Sequence, residues 1–101
     1  MKNITEKQVE QHLRRSVERL GGVAMKFVSP GRDGVTDRIV VMPGGRIWFV
    51  ELKRPGRTLD PLQVVFKKLV EGLGCQHRTL DSIEAVDGFM TEVVTLNPSA
   101  V

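Results

Sequence analysis

The sequence is poor in the residues that staple small domains or hold soft metals. Cys75 is its one cysteine, so no internal disulfide can form, which is the expectation for a protein of a reducing cytoplasm. The two histidines, His12 and His77, lie far apart, and with one cysteine they leave too few soft ligands for a structural zinc site. Tyrosine is missing and aromatic residues make up 5%, which argues against a platform that stacks single-stranded bases. No apolar run is long enough for a membrane-spanning helix, and Met1-Lys2-Asn3-Ile4-Thr5-Glu6 holds no apolar stretch of signal-peptide length. The Pro43-Gly44-Gly45 turn is not followed by the Gly-Lys-Ser/Thr of a P-loop, so no nucleotide cofactor is expected.

What is present fits one globular domain. A chain of 101 residues builds a single core, and 41% hydrophobic with 27% charged residues is an ordinary soluble composition. The net charge of +3, with a pI near 9.4, favours a polyanionic partner but falls well short of a histone-like excess.

Periodicity then places the elements. Thr5 and Gln8 fit a capping box, and Val9, Leu13, Val17 and Leu20 recur at helical spacing until Gly21-Gly22 stops them. A β-prone run covers 23–28, and two strands are expected over 37–42 and 46–53, joined by Pro43-Gly44-Gly45 as a hairpin. Asp60 as N-cap with Pro61 behind it opens a second helix, whose apolar stripe is Leu62, Val65, Phe66, Leu69 and Val70. Gly72 and Gly74 close that helix, and 76–80 reads as a fourth strand. Beyond Asp81 a short helix over 82–90 and an extended piece over 93–96 are expected, with 97–101 a frayed tail. Cys75 is expected as a core thiol and Trp48, alternating away from Glu51, as core. The order implies an α/β layer fold in one domain, residues 1–101, with a core over about 6–86 and an appendix over 87–101.

The hairpin also concentrates chemistry. A three-residue loop sets Met42 opposite Arg46 and therefore Asp37 opposite Glu51, while a two-residue loop would shift the pairing by one. Strand alternation turns Glu51 and Lys53 the same way, so two carboxylates and an ammonium converge at one end. Carboxylate oxygens suit a hard cation such as Mg²⁺, and a lysine nearby can position a water and stabilise a negative transition state. A bare Glu-x-Lys arises by composition at on the order of one in several hundred positions, so by itself it equally describes a solvated strand end.

The run Gly34-Val35-Thr36-Asp37-Arg38-Ile39-Val40, then Pro43-Gly44-Gly45-Arg46, then Phe49-Val50-Glu51-Leu52-Lys53, resembles the VRR-NUC domain of the PD-(D/E)XK nucleases, in its stand-alone, phage-type form. The likeness runs on through Pro61-Leu62-Gln63 and covers about residues 6 to 86, departing at Thr36, where the family usually has proline. It implies a restriction-endonuclease-like αβββαβ core, a mixed sheet flanked by helices. It implies Asp37 and Glu51 as ligands of Mg²⁺ or Mn²⁺, with the Leu52 carbonyl as a third, and Lys53 acting on the attacking water. It also implies a glutamate from the first helix. Glu10 is preferred, because its distance to Gly21 resembles that in related junction resolvases, and Glu6, one turn earlier, is the competitor. Gln63 matches the family's glutamine near the lysine or the metal-bound water, although with Asp60 it also fits a capping box. Lys26, Arg32, Arg38, Arg54 and Arg57 are candidates for DNA phosphate contacts, whereas Lys67 and Lys68 read as a solvated helix face.

The expected activity is therefore metal-dependent endonucleolytic cleavage of DNA, leaving 5′-phosphate and 3′-hydroxyl ends. The resemblance implies a homodimer acting on branched DNA such as four-way (Holliday) junctions, in the cytoplasm of a bacterium or a phage-infected host cell. Three alternatives stay open at this stage: a DNA-binding module of the same fold without catalysis, a flap or RNA nuclease, and an oligomeric interaction protein.

Overall fold

Both long helices begin as their capping residues dictate. In the computed structural model, which describes residues 4–95, α1 spans Glu6–Arg19. Gln8 N–H donates to Thr5 Oγ1 at 3.2 Å, and Thr5 N–H donates to Gln8 Oε1 at 2.8 Å, closing the capping box. Val9, Leu13 and Val17 are fully buried along one side of this helix. α2 spans Pro61–Gly72 with Asp60 as N-cap, and Asp60 and Gln63 form a second capping box. It ends at Leu73, where Gly74 N–H reaches Glu71 O at 3.0 Å and Cys75 N–H reaches Val70 O at 2.8 Å. That paired pattern needs a left-handed residue, which Gly74 supplies with φ of 90°. Cys75 therefore belongs to the helix stop and is exposed, correcting the core-thiol expectation.

The strands β1 (Val23–Lys26), β2 (Arg38–Met42), β3 (Arg46–Leu52) and β4 (Gln76–Leu80) form one sheet in the order β1-β2-β3-β4. The first two pairings are antiparallel, and β4 joins β3 in parallel after the α2 crossover. Met42 lies opposite Arg46, as a three-residue loop requires.

One sheet face is sealed. Val40, Met42, Trp48, Val50, Leu52 and Leu80 pack against α1 and against α3, which spans Ile83–Thr95. Trp48 meets Phe89 edge-on at 5.7 Å, and Arg46 stacks over Trp48 while donating to Val93 O at 2.9 Å. The expected break into a short helix and an extended piece does not occur. Val86, Phe89 and Val93 keep one helical stripe buried, so 87–95 belongs to the core and not to an appendix. Leu96 and the tail over 97–101 lie outside the described residues.

The other face is covered only in part. α2 lays Phe66 against Phe49 at 5.6 Å and His77 at 6.3 Å, over β3 and β4. Its remaining stripe, Leu62, Val65 and Leu69, is exposed, because the helix sits near the sheet's edge and only Phe66 and Val70 are buried on it. The row Val23–Val41–Ile47 and the start of the row Met25–Ile39–Phe49 are left open, with Val23, Met25 and Ile47 about half exposed.

The loop leading to β2 is pinned at Gly34. Its φ is +81°, and a Cβ there would collide with the Leu62 backbone in the first turn of α2. Gly34→Ala is expected to lower stability by about 1–3 kcal/mol, combining backbone strain with the collision. Gly45→Ala has a similar φ of +76° but open space around it, and should cost less. Thermal melts of the two variants, side by side, check the difference.

Candidate active site

Strand register builds the site. Carried one step beyond the Arg38–Val50 pair, it sets Asp37 opposite Glu51, and the Phe27 N–H donates to the Asp37 carbonyl at 2.9 Å from the β1 side. The Leu52 N–H donates to Asp37 Oδ1 at 3.4 Å, so one carboxylate oxygen is tied to the end of β3. Thr36 is buried with its hydroxyl unpartnered among the described residues.

Glu51 is 5% exposed, on the face that α2 covers. Gln63 Nε2 donates to its Oε2 at 3.1 Å, while the same Gln63 accepts from the Asp60 N–H through Oε1 at 2.8 Å. One side chain therefore serves both the helix start and the carboxylate. The other oxygen of Glu51, Oε1, is buried with no hydrogen-bond partner among the described residues. Burial raises the Glu51 pKa to about 7; the Asp37 charge adds to the rise, Lys53 opposes it, and Glu6 adds further. The Asp37 pKa is raised as well, first by burial, against the lowering pull of Arg38 and the Leu52 amide, with Glu6 again raising it.

Lys53 follows β3, its N–H bonded to Leu80 O at 3.0 Å and its Nζ lying 3.9 Å from Asp60 Oδ2. On α1 the two glutamates have separate surroundings. Glu10 lies 3.8 Å from Arg38 Nε and 4.0 Å from Arg14 Nε, whereas Glu6 is the one whose charge acts on both Asp37 and Glu51. Arg38 is held by carboxylates and also donates to the Asp37 carbonyl at 2.8 Å. Lys26, Arg32, Arg54 and Arg57 are exposed.

The donor set fits a hard divalent cation. It consists of oxygens, two of them from desolvated carboxylates, and a buried carboxylate oxygen without a hydrogen-bond donor is one that a cation can satisfy. No group of three or more histidine, cysteine, aspartate or glutamate side chains is placed to hold a metal among the described residues. One or two carboxylates, with water and phosphate completing the shell, is the usual holding of Mg²⁺. Asp60 escaped the sequence reading as a site residue, because its N-cap role explained it completely. Its nearness to Lys53 across the 54–59 loop is a tertiary fact.

No family model matches the chain. It is 48% identical over 82 residues to "Putative nuclease p44" of Acyrthosiphon pisum secondary endosymbiont phage 1, covering 81% of this chain and 88% of that protein. A solved structure described as "VRR_NUC domain" superposes with a TM-score of 0.82 at 30% identity, over 87% of this chain and 97% of its own. The mixed four-stranded sheet with its helices is the restriction-endonuclease-like fold that the motif implied, with α3 added. At that identity and coverage the likeness reaches past the architecture, and the chain belongs to the VRR-NUC nuclease family.

Proposed function

We propose that this nuclease is a divalent-metal-dependent DNA endonuclease, with Asp37 and Glu51 holding Mg²⁺ or Mn²⁺ and Lys53 acting on the attacking water. The observation that carries this reading is Glu51. A carboxylate buried beside a second carboxylate, with one oxygen unpartnered, is destabilising in itself and is relieved by a cation. The bound ion would neutralise charge on the phosphate and lower the pKa of a coordinated water. Gln63 fixes the Glu51 carboxylate in one orientation, and the Leu52 amide does the same for Asp37. Lys53 brings an ammonium to the same end of β3, where it can orient water and offset negative charge. The Leu52 carbonyl is the third proposed ligand, and a glutamate of α1 would act on the ion through its charge or a coordinated water, since no third carboxylate among the described residues is placed to bind it directly. The Glu6 charge acting on both carboxylates supports Glu6, while Glu10 already has two arginine partners.

The proposed substrate is branched DNA, including four-way junctions, bound through phosphate contacts from the exposed Lys26, Arg32, Arg54 and Arg57. The proposed assembly is a two-fold homodimer, which would present two sites to two symmetric strands. The open apolar face supports it, since the Val23–Val41–Ile47 row and Met25 leave a solvent-facing strip without a charged side chain in those rows. A second copy presenting the same strip matches it in chemistry.

Cleavage of labelled four-way junction, flap, single-stranded and linear duplex DNA, with Mg²⁺, Mn²⁺ or EDTA, tests the activity. Metal-dependent cutting that disappears in Lys53→Ala is expected, with Glu6→Gln losing more activity than Glu10→Gln. Tight DNA binding without cutting under either metal would sink the catalytic reading.

Stability carries a second signature. Glu51 holds its proton up to about 7 in the folded protein against 4.5 for the ordinary group, so between those values the native state binds more protons than the unfolded chain. Metal-free stability contributed by this group therefore falls as pH rises through that window. The buried His77, its pKa lowered mainly by burial, acts in the opposite sense below its ordinary 6.5, so the comparison with Glu51→Gln cancels its part and reports Glu51 together with its coupling to Asp37. In EDTA at pH 8 the variant is expected to be more stable than wild type by on the order of 1–3 kcal/mol, the gap closing towards pH 5. A pH-independent gap would count against a desolvated Glu51.

Light scattering on the eluting protein checks the assembly. A dimer mass is expected for wild type and a monomer for Ile47→Glu with its melting temperature retained. A wild-type monomer would remove the dimer from the proposal.

A further inference from the structure

We infer that Asp60, at the start of α2, is a positioning residue for Lys53, holding the ammonium over the carboxylate site. The inference rests on the nuclease reading of that site. Lys53 Nζ lies 3.9 Å from Asp60 Oδ2, and among the described residues no other carboxylate oxygen, including those of Asp37 and Glu51, comes within 4.0 Å of it. Lysine carries its charge on a flexible four-carbon stem, so a lysine that must act at one point needs a partner to choose its rotamer. The two partners differ in surroundings. Lys53 is 14% exposed in its side chain and Asp60 68%, so the pair joins a largely buried ammonium to a solvent-facing carboxylate.

Asp60 is itself held in place. Its N–H donates to Gln63 Oε1 at 2.8 Å, and Gln63 Nε2 donates to Glu51 Oε2 at 3.1 Å. The first turn of α2 thus grips Glu51 through Gln63 and Lys53 through Asp60, fixing the two chemical groups relative to each other. The same pair closes the 54–59 loop, which turns through an Arg57 N–H bond to Arg54 O of 3.1 Å and carries both arginines to the surface.

Charge makes the inference testable. A carboxylate beside a surface that binds DNA phosphates weakens that binding, so removing it should tighten DNA binding if charge were its only effect. An N-cap role, on the other hand, is served by any short oxygen-bearing side chain. Asp60→Asn and Asp60→Ser keep the cap and remove the charge.

The experiment measures melting temperature, and kcat and KM on the DNA structure that wild type cleaves fastest, for wild type, Asp60→Asn, Asp60→Ser and Asp60→Glu. The expected result is unchanged melting, KM unchanged or lower, and kcat reduced about tenfold in the Asn and Ser variants, as misplacement of a catalytic group produces. Partial recovery is expected in Asp60→Glu, which restores the charge. Equal or higher kcat in the Asn and Ser variants would overturn the inference, as would a loss of kcat that follows a loss of melting temperature. The ¹⁵N signal of the Lys53 ammonium supplies a readout without activity, ordered in wild type and mobile in Asp60→Ser. If wild type cuts no DNA the nuclease reading fails, while equal Lys53 mobility in both proteins would overturn the positioning role alone.

Discussion

The antiparallel pairing of β2 with β3 is the constraint on which the rest of the molecule depends. A three-residue turn fixes Met42 against Arg46, and the register then runs without a bulge to Arg38 against Val50. Because side chains alternate, the same register decides both faces at once. On one side Val40, Met42, Trp48 and Val50 form the floor of the main core. On the other, Asp37 meets Glu51. A slip of one residue would send the carboxylates into the core and the valines into the site, so every apolar contact made by α1 and α3 also enforces the geometry of the carboxylate pair. Stability of the sealed face is what keeps the carboxylate-bearing face in register.

That carboxylate-bearing face is costly to the fold. Two carboxylates face each other with Glu51 buried, and its pKa is raised to about 7 chiefly by loss of solvent. The strain is local, and the surrounding groups distribute it. The Leu52 amide holds Asp37, Gln63 holds one oxygen of Glu51, and Gly34 lets the loop before Asp37 lie directly on the first turn of α2. The α2 N-terminus is therefore more than a helix start. Its capping box uses Gln63 to satisfy the Asp60 backbone, and the same amide restrains the carboxylate. Local structure and chemistry share atoms here, which explains why a capping signal and a site signal coincide at one position.

Elements governed by local rules were legible in the sequence. The Thr5–Gln8 and Asp60–Gln63 boxes, the helix-stopping glycines and the hairpin turn depend on residues a few positions apart, and each is formed as its spacing predicts. The helical stripe of α2 was legible as periodicity but not as burial. Leu62, Val65 and Leu69 keep the spacing of a core face, yet the sheet ends before reaching them, and no sequence pattern records the width of a sheet. The end of the chain failed for a related reason. Val93 follows Phe89 by one turn and is buried, but β-branched residues near it favour a strand by propensity, and only packing against β4 and α1 decides for the helix. Cys75 misled because buried cysteines are common, while its position one step past Gly74 engages its backbone in the helix stop. At the site, the turn offered two registers, and the Met42–Arg46 pair is what selects the one that sets Asp37 opposite Glu51. Glu6 and Glu10 could not be separated, since a one-turn interval leaves both on the same side of α1, and the pairing of Glu10 with Arg38 is a tertiary contact that spacing does not record.

The two faces also differ in completeness, and this bears on how so small a chain operates. Two helices seal one face, but a single helix covers only the β3–β4 half of the other. The uncovered strip of Val23, Met25 and Ile47 belongs to the same face as Glu51, with Ile39 and Phe49 lying between. Whatever covers that strip is held, through a rigid three-stranded ladder, at a fixed distance from the carboxylates. In the proposed homodimer the ladder would set the spacing of two active sites, with no linker or hinge between them. The apolar residues that complete the fold by association would then also fix which pair of strands the enzyme can reach, so that substrate geometry is written into sheet packing and not into base contacts.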